Sequence, residues 1–284
     1  SNSFCTLLVL ARHPMQHPLG YVRTLLAGGA TVTDASRNRH ATGRRLKAHT
    51  LEIAYALCRP TRLQSKATTS SWDAVVRRHV AITASRLWSP KPAPDNGTRS
   101  VALLVEPGAS FVCALGAVWA CGRIAVPLSH SNPATDLAHA VQNSGARTII
   151  CTRSTVALAR KIAPASTRLI VVHDRQIGAV PTTFQSDLER TATAFDASLQ
   201  RRSGAGARFA DADALIIFTS GTTGKPKGVV HTFASVHNQI QVLQQAWKWT
   251  KSDSTLCTLP LHHVHGLINV VGCSVTAGGK LTFL

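Results

Sequence analysis

At 284 residues with 44% apolar side chains, the chain is long enough for one large domain or two ordinary ones around a buried core. Its net charge of +18 raises nucleic acid as a partner, yet the excess is local: residues 1–71 hold ten Lys or Arg against only Asp34 and Glu52, while residues 211–284 hold five against three. No apolar run approaches the roughly 18 residues of a membrane-spanning helix, and the seven cysteines, without a Cys-x-x-Cys pair, read as reduced core thiols rather than disulfides or a zinc site.

Residues 1–71 are acid-poor, rich in Arg and Ser/Thr, and aperiodic. They read as a basic extension outside the folded domain, either solvated and disordered or a mitochondrial or plastid leader. The protein is expected inside the cell, in the mitochondrion or the cytoplasm, and the domain proper is assigned to residues 72–284. Its first element is a helix, since "WDAVVRRHVAIT" (72–83) puts Val75, Val76, His79, Val80 and Thr83 at helical spacing. The breaker "SPKPAPDNGT" (89–98) follows as a surface loop.

A regular alternation then begins. "SVALLVE" (100–106) predicts a buried strand, 108–122 a helix, and "IAVPL" (124–128) a strand. The next helix has Asn132 as its N-cap, Pro133 in its first turn and Gly145 at its end. "RTIICT" (147–152) is a strand, 154–163 a helix and "TRLIVV" (167–172) a strand. Residues 173–210 read as a connector. "DALIIFTS" (213–220) resumes as a buried strand, followed by helices over 232–247 and 264–277 and strands over 254–259 and 280–284. Strand and helix alternating at short spacing predict an α/β fold with a parallel sheet.

The strand at 213–220 runs into "FTSGTTGKPKGVVHT" (218–232). A loop at the C-terminal end of a parallel strand and before a helix lies where ligands of open α/β sheets bind. Gly221 and Gly224 allow a concave nest of N–H groups, Thr219, Ser220, Thr222 and Thr223 add hydroxyls, and Lys225 and Lys227 add positive charge. The stretch contains no carboxylate. Polyphosphate fits such a donor set. The loop is not a Walker A sequence, because Pro226 stands where that pattern needs glycine. Further on, "TLPLHHVHGLINV" (258–270) gathers His262, His263 and His265. A metal site is one reading, but no carboxylate or thiolate ligand accompanies it, and no metal is assigned.

The loop resembles the phosphate-binding signature of the adenylate-forming superfamily. These enzymes activate a carboxylate with ATP to an acyl-adenylate and pyrophosphate, then pass the acyl group to a thiol. The resemblance implies the β-α-β subdomains of that family's large N-terminal domain, cut short, with Thr219, Ser220, Gly221, Thr222, Thr223, Gly224, Lys225 and Lys227 at the ATP phosphates. It implies ATP, Mg2+ and coenzyme A as cofactors and a small carboxylic acid as substrate. His263 falls on the family's active-site histidine, and His265 and Gly266 on its acyl pocket. "WKWTKSDSTLCTLPLHHVHGLINV" (247–270) and "GRIAVPLSHSNPATDLAHAVQNSGARTII" (122–150) are most similar to the malonyl-CoA synthetase branch.

The resemblance covers residues 72–284 and is strongest after 210. The family's ribose-holding segment, hinge and C-terminal lysine domain find no counterpart, so the chain by itself is expected to be inactive and to present its last strand as an unpaired edge. Three alternatives remain: an adenylating enzyme for another short-chain or aromatic acid, a basic nucleic-acid-binding protein, and an inactive nucleotide-binding remnant. An aromatic content of 5% gives the nucleic-acid reading too few rings for base stacking.

Overall fold

The computed structural model describes residues 21–22, 30–35, 39–41, 46, 49–50, 53–54, 57, 99–172, 211–219 and 224–284. The helix expected at 72–83, the loop at 89–98 and the connector at 173–210 lie outside these residues.

The apolar runs of the middle of the chain become strands covered on both faces. β3 (Ser100–Leu104), β4 (Ile124–Pro127) and β5 (Thr148–Thr152) are buried at every residue, the pattern of a parallel sheet between helical layers. With β6 (Arg168–Val172), β7 (Asp213–Thr219) and β8 (Lys227–Thr232) they form a six-stranded sheet in the order β6-β5-β3-β4-β7-β8. All pairs are parallel except β7 with β8.

Pleating divides β3 between two cores. Ala102 and Leu104 point to a layer with Leu137, Ala140 and Val141 of α2 (Ala134–Asn143) and Ala159 and Ile162 of α3 (Val156–Ile162). Val101 and Leu103 point the other way, to α1 (Ala109–Ala120). Every residue of α1 after Ala109 is buried, as expected of a helix apolar all round and enclosed by other layers. α2 caps differently from the sequence reading. Its N-cap is Pro133 without a side-chain hydrogen bond, and the Asn132 N–H instead closes a turn onto Ser129 O at 3.0 Å. Gly145 does follow the C-cap, at φ 66°.

A second sheet has the order β2-β1-β10-β9. β1 (Thr31–Asp34) lies parallel to β10 (Lys280–Phe283) from Thr31↔Lys280 to Asp34↔Phe283, and antiparallel to β2 (Arg39–Ala41). β9 (Ser254–Cys257) covers the other side of β10. Two expectations fail here. The last strand is interior rather than an edge, and the described part of 1–71 is not outside the fold. Tyr21, Val22, Leu46, Ile53, Ala54 and Leu57 are all in the main core. Tyr21 donates its hydroxyl proton to Val112 O at 3.2 Å and meets the Trp119 ring edge-on at 5.2 Å.

Trp119 is nearly solvent-free. Its indole N–H reaches Ala214 O of β7 at 2.9 Å, and its ring also meets Phe233 at 6.4 Å. Cysteines line the same interior. Burial pushes Cys273 up to about 12 and Cys151 up to about 11, the latter opposed by Arg160 and helped by Glu106. These are packing thiols, held in the unreactive protonated form. Among the described residues, no helix is long and apolar enough to cross a membrane.

Replacing Tyr21 by alanine removes a wholly buried ring and its hydrogen bond. Aromatic-to-alanine changes in a core cost about 3–5 kcal/mol. Urea unfolding of Tyr21→Ala is expected to show a loss in that range, with Tyr21→Phe costing about 1 kcal/mol. A segment outside the fold would give no change in either variant.

Candidate active site

In an open sheet the usual ligand crevice is the C-terminal edge where strand order reverses, here between β3 and β5. That place is filled by the protein's own groups. The Glu106 carboxylate accepts from Thr152 Oγ1 at 2.6 Å and from Ser154 Oγ, and Thr155 Oγ1 donates to Leu104 O at 2.7 Å. β7, which leads into the phosphate-type loop, lies two places further along the sheet from β3.

The loop there is not a strand-to-helix turn. Residues 227–232, expected as loop running into a helix, form β8, which folds back on β7 in register from Thr219↔Lys227 to Leu215↔His231, with a register shift before the last pair, Asp213↔Thr232. The phosphate-type loop therefore tips a β-hairpin, and the helix begins only after β8. β8 is the sheet edge and is exposed from Lys227 to Val230, so it lacks the burial that marks a strand in sequence.

The hairpin sets Thr219 opposite Lys227, with Thr219 Oγ1 donating to Lys227 O at a long 3.5 Å. Both side chains and Lys225 are exposed at the tip. Gly224 carries φ 95°, a backbone that side-chain-bearing residues avoid. Phe218 leans over Gly228, where a Cβ would stand 3.2 Å from its ring. His139 of α2 reaches the same place: its Nε2 lies 3.1 Å from Pro226 O, and its ring meets that of Phe218 edge-on at 6.5 Å. Ser220, Gly221, Thr222 and Thr223 lie outside the described residues.

The second constellation follows β9. Leu261 is buried, while His262 is half-buried and its ring lies tilted against that of exposed His263, with centroids 4.2 Å apart. His265, also exposed, opens a π-helix over His265–Gly272 that continues as α5 (Cys273–Ala277). The expected helix over 264–277 is thus present with a wider first half, a feature found often at functional sites. Gly266 is sterically required, because a Cβ there would collide with Pro260 O and touch Leu259. Among the described residues, no three His, Cys, Asp or Glu side chains are grouped to hold a metal.

One helix joins the two constellations. α4 (Phe233–Ala246) starts directly after β8, capped by Thr232 Oγ1, which accepts from Ser235 N–H at 3.2 Å. Its far half meets the π-helix and α5. Gln239 Nε2 donates to Asn269 Oδ1 at 3.4 Å, Gln244 Nε2 donates to Cys273 O at 2.9 Å, and Ile240 packs on Gly272.

A family model described as AMP-binding enzyme matches residues 94–284. The chain belongs to that family. Its relatives include the malonate–CoA ligase of Arabidopsis thaliana, 36% identical over 185 residues, which are 65% of this chain and 29% of that protein. The mitochondrial malonate–CoA ligase of Xenopus laevis is 31% identical over 193 residues, 68% of this chain and 31% of the relative. The match thus spans less than a third of either relative's length. Among solved structures, ATP-bound MatB from Rhodopseudomonas palustris superposes with a TM-score of 0.60 at 19% identity, over 94% of this chain and 45% of that one. At that identity the likeness establishes the fold. The α/β architecture with a parallel sheet is therefore that of the N-terminal domain of adenylate-forming enzymes.

For this AMP-binding chain, the structure brings Thr219 and Lys227 together and gathers His262, His263 and His265 at the entry to the π-helix. It adds three residues to those singled out from sequence: His139, Phe218 and Gly228. His139 stands off the buried stripe of α2, which Leu137, Ala140 and Val141 form, and its partner is 87 residues away. Sequence holds no signal for such a contact.

Burial lowers the pKa of His262 below its usual 6.5, and the neighbouring His263 lowers it further. The folded state therefore favours neutral His262, while the unfolded chain takes up the proton first. This contribution to stability is complete above about pH 6.5 and is lost as pH falls through the depressed folded value. Urea midpoints measured from pH 7.5 to 5 are expected to decline less in His262→Gln than in the parent protein. Parallel declines would show that His262 is not depressed.

Proposed function

We propose that this chain is the ATP-engaging part of an AMP-forming acid–thiol ligase whose acid is malonate. The observation that carries the reading is the hairpin that sets Thr219 opposite Lys227, joined by a segment whose sequence supplies three further hydroxyls, two glycines and Lys225 and no carboxylate. Malonate is supported by the activity printed in the names of the Arabidopsis thaliana and Xenopus laevis relatives. A mitochondrial or cytoplasmic location accords with buried core thiols such as Cys151 and Cys273 and with the mitochondrial relatives.

In the reaction, a carboxylate oxygen attacks the α-phosphorus of ATP, the bond to the bridging oxygen breaks, and pyrophosphate leaves. The thiol sulfur of coenzyme A then attacks the acyl carbon, losing its proton, and AMP leaves. Lys227 and the glycine-rich loop serve to stabilise the charge that builds on pyrophosphate. Thr219, Ser220, Thr222 and Thr223 orient the phosphates by hydrogen bonding. His263 orients the carboxylate, and His265 and Gly266 line the acyl pocket. The loop offers Mg2+ hydroxyls and no carboxylate, so the ion fits as a companion of the nucleotide; when bound it neutralises phosphate charge.

The two lysines differ in how they are held. Lys227 sits in the ladder opposite Thr219, whereas Lys225 belongs to the loop before Pro226. A charge-assisted hydrogen bond is worth about 1.5–3 kcal/mol, or roughly ten- to a hundredfold. In the full-length enzyme, Lys227→Ala is expected to slow malonate-dependent ATP–pyrophosphate exchange at least tenfold, with Lys225→Ala close to the parent. Equal losses in the two variants would remove the distinction, and exchange with acetate equal to that with malonate would overturn the substrate.

His263 acts in the first half-reaction only. His263→Ala is expected to lower acyl-adenylate formation while transfer from supplied malonyl-adenylate to coenzyme A survives. Loss of both half-reactions together would place His263 elsewhere in the mechanism.

A further inference from the structure

We propose that His139 is a positioning residue for the phosphate loop, acting on Lys227 through the Pro226 carbonyl; this rests on the function proposed above. A carbonyl oxygen only accepts, so the 3.1 Å contact requires the proton on Nε2, with His139 donating. The Pro226 oxygen and the Lys227 N–H belong to one planar trans peptide. Holding the oxygen therefore fixes the direction of that N–H and the point from which the Lys227 side chain departs. On its other side Lys227 is held by pairing with Thr219, whose hydroxyl donates to Lys227 O. Lys227 is thus gripped from both flanks, once from β7 and once from a helix 87 residues earlier in the chain.

Ring contact adds a second constraint. His139 packs edge-on to Phe218 at 6.5 Å, and Phe218 occupies the space over Gly228. The hairpin is pressed to the sheet face at Gly228 and drawn toward α2 at Pro226.

Two measurements on the full-length enzyme test this. Trypsin does not cut a Lys–Pro bond, so at the hairpin it cuts after Lys227 and not after Lys225, and the rate at Lys227 reads loop anchoring without ATP or activity. His139→Phe keeps the ring and loses the donor, while His139→Gln carries an amide N–H at the reach of Nε2. In the Phe variant, cutting after Lys227 and the KM for ATP are both expected to rise about three- to tenfold, the worth of one neutral hydrogen bond. The KM for malonate and the thermal midpoint stay near the parent values, and the Gln variant recovers both readouts. Phe and Gln variants impaired alike would reduce His139 to packing, and faster cutting with an unchanged KM for ATP would refute positioning. If the parent enzyme gives no ATP-dependent exchange, the proposed function fails. The cleavage rates then decide the grip on Pro226 by themselves, and equal rates in parent and Phe variant overturn it.

Discussion

The burial of Trp119 is the constraint that the remaining structure accommodates. One side chain meets Tyr21 from the first described segment, donates to Ala214 at the start of β7, and contacts Phe233 at the start of α4. An indole N–H enclosed without an acceptor would cost about 1–3 kcal/mol, so the Ala214 carbonyl must stand where it does. That fixes β7 relative to α1, and β7 carries the hairpin. The same ring presses on Phe233, one residue after the Thr232 cap from which α4 starts. Residues far apart in sequence thus set the base of the candidate site through one buried aromatic cluster, and polar residues at the tip inherit their frame from it.

Much of this was legible in the sequence because local patterns are strong where both faces of a strand are covered. The runs at 101–105, 149–151 and 214–218 are apolar without interruption, and each became the heart of an interior strand. β8 escaped for the opposite reason. Its residues are exposed along an edge, so its pairing follows from the backbone of β7 and not from its own composition. β1 escaped through distance: four residues, Thr31–Asp34, alternate in burial and find their partner at Lys280–Phe283. A short polar strand whose neighbour lies at the other end of the chain has no local signature, and the acid-poor composition around it argued for an extension. Asn132 illustrates a smaller limit. Asparagine before proline fits a cap by type, but Pro133 took that position and Asn132 closed the preceding turn.

The candidate site was legible in its chemistry and not in its mounting. Hydroxyls, glycines and lysines in one loop, and three histidines within four residues, stand out by type and spacing alone. What holds them does not. The hairpin changes the source of anion affinity, because a loop at a helix N-terminus gains from the helix dipole and this loop is followed by a strand. On the function proposed above, binding would then rest on the loop's own N–H groups, its hydroxyls and Lys227. Such contacts lose strength quickly when their geometry loosens, so a hairpin at an exposed edge needs support from outside the two strands. Phe218 and His139 are placed to give it.

α4 extends this logic from the loop to the histidines. Its first residue follows the hairpin directly, and its later turns are tied to the π-helix and α5 by Gln239, Ile240 and Gln244. A π-helix has a wider turn than an α-helix, which brings a different set of residues onto the face that meets α4. Gly266 shows how little slack remains at its start, where any side chain would strike the Pro260 carbonyl. The close approach fixes the Leu259–His263 turn against the first turn of the π-helix, and the Leu267 N–H bond to His263 O at 3.0 Å completes it. Movement of His263 relative to the hairpin would have to shift α4 or unwind this turn. If the hairpin and His263 serve one nucleotide and one acid, as proposed above, such a rigid spacer would supply the orientation on which much of a two-substrate rate depends.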